Sequence, residues 1–254
     1  MPMSMTSPLT ATGRTLFALA ILGFGIQYAI YVQLREGLPM CPVWIPGEQI
    51  IAYAMAAILI VTSLALLAAF RVDIISFALG MLLLAVSILY LGHLQQVLHD
   101  GRGRTHFLEA LSFASASLVL HALARGPGSK FSPILGRILF AFAMIVFGAQ
   151  HFMYLKFISA LVPAWIPQHY FWVTFTGIVL IVAGGAIATT VADKSASLCL
   201  FALFLGWLVL LHATRILHAL HNADEWSSGF VALGLCGASL LVAVASDSPK
   251  PLRV

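Results

Sequence analysis

RILFAFAMIVFGAQHFMYLKFISALVPAWIPQHYFWVTFTGIVLIVAGGAIATT, Arg137 to Thr190, decides how this chain is read. Two long apolar runs flank a turn rich in proline and tryptophan. A shift of 123 residues finds an earlier copy over Arg14 to Leu66, with Arg14 on Arg137, Gly25 on Gly148, Gln27 on Gln150 and Tyr31 on Tyr154. After a slip of two residues, Pro42-Val-Trp44-Ile45-Pro46 falls on Pro163-Ala-Trp165-Ile166-Pro167. Apolar residues coincide easily by chance in membrane segments. Arg, Gln, Tyr, Trp and paired prolines do not, so the pattern reads as a tandem duplication.

Composition sets the environment. The 254 residues are 61% hydrophobic and 9% charged, with a mean hydropathy of +1.01. Soluble domains carry about 25% charged residues, so this chain lacks the polar surface that water requires. The net charge of +4 does not point to nucleic acid, because the basic residues lie in short loops between apolar runs, where they orient a membrane protein. Cys41, Cys199 and Cys236 are far apart with no CxxC, which argues against a dithiol centre or a Cys-ligated zinc. Cys199 and Cys236 read as small buried hydrophobes.

The apolar runs 15–34, 48–70, 74–98, 106–124, 137–157, 170–191, 197–220 and 227–246 are each close to the roughly 20 residues that cross a bilayer. The first is not a cleaved signal, since it recurs within the chain. The expected fold is an all-α integral membrane protein of eight transmembrane helices, arranged as two parallel four-helix repeats, 1–124 and 125–254. The fourth and eighth spans are the weakest, diluted by Glu109 and by small residues. An even number of spans per repeat makes the repeats parallel, related by a pseudo-two-fold along the membrane normal. Eight loop cations on the side of the termini (Arg14, Arg71, Arg125, Lys130, Arg137, Lys194, Lys250, Arg253) face four opposite (Arg35, Arg102, Arg104, Lys156). That bias places both termini in the cytoplasm of an inner-membrane protein.

The polar residues then gather in the outer leaflet. LGHLQQVLH and LLHATRILH put His93, Gln96 and His99 of the third span on His212, Arg215 and His218 of the seventh at identical spacing. Steps of three on a helix keep each trio on one face about 120° wide. Such a face turns to protein or to a water-filled cavity rather than to lipid. His151 and Gln150 lie in the same portion of the fifth span. Two readings stay open. These side chains are structural, bonding helix to helix, or they form a proton relay or line a site for a quinone, a haem or a metal ion, with His218 and His221 spaced i,i+3 as candidate metal ligands. If the symmetry axis passes between the third and seventh spans, the two stripes share one ligand. Arg215 either snorkels to the interface, the simpler reading, or pairs with Asp224, Glu225 or an anionic ligand. The GxQ elements at Gly25 and Gly148 read as packing motifs. The PxWIP turns read as interfacial, able to cover a cavity. No Walker loop, GxGxxG, GxSxG or HExxH occurs, so nothing supports a nucleotide-driven enzyme or a serine hydrolase.

The second copy resembles the DoxX-like superfamily of small bacterial membrane proteins, through Gly148, His151, Phe152, Val162, Pro163, Trp165, Ile166, Pro167, Thr176 and Gly177. The first copy keeps Gly25, Pro42, Trp44, Ile45 and Pro46 but has Tyr28 in place of the histidine. The resemblance implies a four-helix membrane unit associated with redox chemistry. Some such proteins are subunits of thiosulfate:quinone oxidoreductase and others are linked to oxidant defence. The expectation is a membrane redox component, with the lipid bilayer as its surroundings and a redox partner protein on its outer face. A non-catalytic carrier or scaffold is the alternative.

Overall fold

The computed structural model describes residues 7–31, 47–92, 94–99, 101–126 and 133–247, with the side chains of residues 94 and 96 excepted. Cys41, the first PxWIP turn with Trp44, His93, the Gln96 side chain, Asp100 and most of the link between the halves lie outside the described residues. In chain order the helices are α1 (Pro8–Tyr31), α2 (Glu48–Leu67), α3 (Val72–Leu91), α4 (Leu94–His99), α5 (Gly101–Arg125) and α6 (Ile134–Met153). They continue with α7 (Leu155–Leu161), α8 (His169–Thr189), α9 (Asp193–Trp207), α10 (Ala213–His218) and α11 (Ala223–Ala245). A π-helical segment, Leu208–His212, joins α9 to α10. Eight helices are long and apolar enough to cross a membrane, α9 through α10 counting as one of 26 residues. This is a multi-pass, all-helical membrane protein. Ile50, Val61, Val182, Val209 and Leu217 are exposed on its outside, which only a lipid surrounding makes comfortable.

The spans form a closed ring in chain order, and α5 packs against α11 across its middle. The fourth and eighth spans are the two most interior: 78% of the apolar window of each is buried, against 11% for Asp193–His218. The expectation that they are also the two least apolar does not hold, since Pro8–Tyr31 has the lowest mean hydropathy, 1.5, and Ala223–Ala245 reaches 2.1. The serines and glycines of the fourth and eighth spans explain their interior position. Small side chains let backbones approach closely, and the hydroxyls of Ser112, Ser117 and Ser239 bond the carbonyl one turn back, so none is left unsatisfied. Phe113 of α5 packs its ring on Phe17 and Phe24 of α1, filling the space that these small residues leave.

Turns between spans are tight. Ala69 and Arg71 before α3, and Thr190 and Ala192 before α9, all adopt positive φ. One turn into each of these helices, Ser76 donates to the carbonyl of Val72 and Ser197 to that of Asp193. Gly148 is required where it stands, since an added Cβ would lie 2.7 Å from the carbonyl oxygen of Gly177 on α8. A Cβ on Gly25 would likewise lie 2.8 Å from Ile60 of α2. At the termini end Arg137 and Asp193, both buried, form an ion pair between α6 and α9. Cys236 is buried as expected, whereas Cys199 faces outward, because α9 turns so little of its surface to protein.

Candidate functional site

A cavity of about 320 Å3 opens in the half of the bundle away from the termini, walled by α5, α6, α8, α9, the π segment and α11. Its lining is mainly apolar (Phe147, Leu180, Phe204, Leu235 among others), with Thr105, Glu109, His151, Thr176 and His212 supplying polar atoms. A second cavity of about 500 Å3, lined by Arg102, Gln150 and Tyr154, shares Thr105, Phe147, His151 and Ile158 with the first. His151 therefore stands where the two meet.

Most of the polar groups have a protein partner. His151 Nδ1–H donates to the carbonyl of Phe147 at 2.8 Å, which fixes the proton on Nδ1 and leaves Nε2 as an acceptor. Glu109 Oε2 lies 2.9 Å from His106 Nδ1 on the same helix face. Thr176 Oγ1 accepts from the Trp207 indole at 3.0 Å. His212 Nδ1 is buried without a hydrogen-bond partner. The π segment puts it there: one extra residue per turn rotates the remainder of the helix by about 100°, and His212 closes that segment.

Of the expected site residues that are described, His151 and His212 line one cavity, Gln150 lines the adjoining one, and His99, Arg215, His218 and His221 line neither; His93 and the Gln96 side chain lie outside the described residues. The shared third-and-seventh-span site is not formed among the described residues, since α3 packs on α5, α9 on α11, and α5 on α11 between them. His99 ends α4 and is exposed. His218 is exposed too, its Nδ1 bonded to the carbonyl of Thr214 at 2.6 Å. The i,i+3 spacing of His218 and His221 is not helical, because α10 ends at His218 and Ala219 leaves the helix at φ −143. Among the described residues no three His, Cys, Asp or Glu side chains come together as a metal site.

Arg215 does not snorkel. It forms a two-pronged pair with Glu225 of α11, Nε to Oε2 at 2.7 Å and Nη2 to Oε1 at 2.6 Å, and reaches the carbonyl of Leu161 at 3.4 Å. Gln150 works as a helix bond, donating to the carbonyl of Gly101 and to Thr105 Oγ1. Gln27 repeats this on α11, donating to the carbonyl of Ala223 while its oxygen accepts from Ser227. The second PxWIP turn tucks Ile166 against Val162 and Val173 and leaves Trp165 exposed.

Sequence reasoning missed Glu109, His106, Thr176 and Trp207. The first two carried a usable signal, an acid and an imidazole three apart inside an apolar run. Thr176 was named only as part of the resemblance and Trp207 had no signal, since only the packing of α8 on α9 joins them. Comparison with protein-family models, curated proteins and solved structures gives no match.

Proposed function

We propose that this protein binds a small ring-bearing molecule dissolved in the bilayer, of which a quinone headgroup is the best-fitting class, and serves as the membrane component of a redox system. The observation that carries the reading is His212 Nδ1, buried and unpartnered beside an apolar cavity that also holds the free Nε2 of His151. A buried polar atom without a partner costs about 1–3 kcal/mol, and a small turn of the His212 ring toward a ligand atom in the cavity would relieve that cost. The volume falls at the low end of small-molecule sites, about 300–1,000 Å3. That suits a single ring better than a haem, and a metal would need more ligands than the described residues bring together.

Within such a site the chain's own groups divide the work. His151, locked in its Nδ1–H tautomer, accepts a hydrogen bond from a hydroxyl form of the ring. His212 donates to, or accepts from, an oxygen at another edge. The Glu109 carboxyl at the cavity wall lies within hydrogen-bond distance of His106 Nδ1. The apolar remainder excludes water.

The wider reading is of two parallel repeats related to the DoxX-like superfamily, with both termini cytoplasmic in an inner membrane and the cavity toward a partner protein on the outer face. The repeats are supported by the twin bonds of Gln27 and Gln150, by the paired positive-φ turns, and by neighbour contacts that recur four spans later. Orientation rests on the loop cations, and reporter fusions after Gly128 and Val254 should both report cytoplasm.

Thermal unfolding in phosphatidylcholine nanodiscs tests the ligand. A ligand at one hundred times its Kd stabilises by about 2.7 kcal/mol. A methyl-substituted benzoquinone should therefore raise the Tm of the wild type by several degrees and leave the His151→Leu/His212→Leu double variant unmoved. Equal shifts in both proteins would end the proposal.

A further inference from the structure

A third cavity lies on the lipid side of the seam between α8 and α9, about 340 Å3 in volume, walled by Trp165, Pro167, Trp172, Phe175, Gly206 and Leu210. Trp207 lines both this groove and the inner cavity. Its indole is the partition, held by the hydrogen bond to Thr176 and met edge-on by Trp172 at 6.2 Å. Just beyond it the helix widens into the π segment Leu208–His212, where the regular hydrogen-bond ladder is already interrupted. The span that carries Trp207 is the least buried of the eight. Gly206 leaves the groove deep, for a Cβ added there would meet nothing within 4 Å.

We infer that this groove holds the hydrocarbon chain of the ligand whose ring occupies the inner cavity, and that the ligand passes sideways from the bilayer at Trp207. The inference rests on the ring-binding reading and adds a ligand class, a single polar ring carrying a long apolar chain. Three features argue for it. One side chain, Trp207, separates the groove from the ring cavity and lines both. Its walls are aromatic and aliphatic, so a polar occupant would lose its hydrogen bonds without replacement. A molecule already dissolved in lipid reaches this seam without crossing water.

Two probes test it in phosphatidylcholine nanodiscs: a benzoquinone bearing a decyl chain, and the same ring bearing only methyl. Affinities are read from the concentration dependence of Tm and corrected for partition into the lipid. Wild-type protein should bind the decyl probe roughly ten-fold tighter than the methyl probe. Gly206→Leu, which fills the groove without touching the ring cavity, should cut that advantage to about two-fold and leave the methyl probe's affinity unchanged. Leu210→Trp narrows the groove from another position and should act alike, which covers the case of a poorly folding Gly206 variant. If both variants keep the full chain advantage, the chain lies in bulk lipid and the groove holds only acyl chains, which overturns the inference but not the ring site. If neither probe binds the wild type, both readings fall.

Discussion

Where α6 carries His151, the sequence copy in α1 carries Tyr28, and the two positions have opposite fates. Tyr28 is fully buried in the main core, whereas His151 borders two cavities. Around them the scaffold is alike: a glutamine one residue earlier bonds the first turn of an interior helix in both halves, and a glycine three residues earlier meets a neighbouring helix. The difference teaches that the packing motif and the site are separable. One side chain, filled or withdrawn, decides whether the same frame is a core or a cavity.

The largest effect expected from breaking this comparison is at the termini end. Arg137 is buried in an ion pair with Asp193, while Arg14, its sequence copy, forms no ion pair among the described residues; the Nε of both is buried without a hydrogen bond. Removing one partner of a buried pair costs about 3–5 kcal/mol. Arg137→Met should thus lower unfolding free energy by that amount, and Arg14→Met by far less, in denaturant titrations of the detergent-solubilised protein. Equal losses would mean that the ion pair is no special tie in the second half.

Next comes the exchange of the two diverged residues. Tyr28→His removes ring volume from a filled core and should cost about 2–4 kcal/mol. His151→Tyr fills a cavity and should leave stability within about 1.5 kcal/mol while abolishing the benzoquinone-dependent rise in Tm. A destabilised, still ligand-responsive His151→Tyr variant would contradict the account of the cavity.

Gln27→Leu and Gln150→Leu sharpen the comparison from the side of sameness. Each removes one of the two side-chain donors to a helix-start carbonyl, which keeps the hydroxyl of Thr105 or Ser227, at about 0.5–1.5 kcal/mol, and the two losses should match closely. A mismatch beyond that range would show that the twin bonds are not equivalent. The smallest effect belongs to His212→Leu. It should raise stability by about 1 kcal/mol, since an unpartnered buried nitrogen disappears, while ligand response is lost. Stability gained at the expense of function is what a binding site built on an unsatisfied group implies.

The spans were legible in the sequence because an apolar run of bilayer length has few other uses, and their observed limits fall within a few residues for most. The interior position of α5 and α11 was not. Ser112, Ser115, Ser117 and Gly234 lower apolarity as a count, yet the same residues are what close helix packing demands. The site was half legible. His151 and His212 could be named from histidine inside a membrane span, but not their partnership, because spacing along one helix says nothing about which helix stands opposite. His218 and Arg215 fell away for local reasons, a helix end and a nearby carboxylate, that periodicity does not register.

The span from Asp193 to His218 has a consequence that reaches beyond the protein. Its 26 residues amount to about 39 Å of helix at 1.5 Å per residue, against a hydrocarbon core of about 30 Å. The surplus is taken up by tilt, by a bend or by local thickening of the bilayer, and it grows in a thinner membrane. This same helix supplies Trp207 and His212 to the cavity wall, with only 11% of its apolar window held by other helices. Membrane thickness is therefore coupled to the shape of the cavity, and the lipid composition around the protein becomes a setting of the site itself.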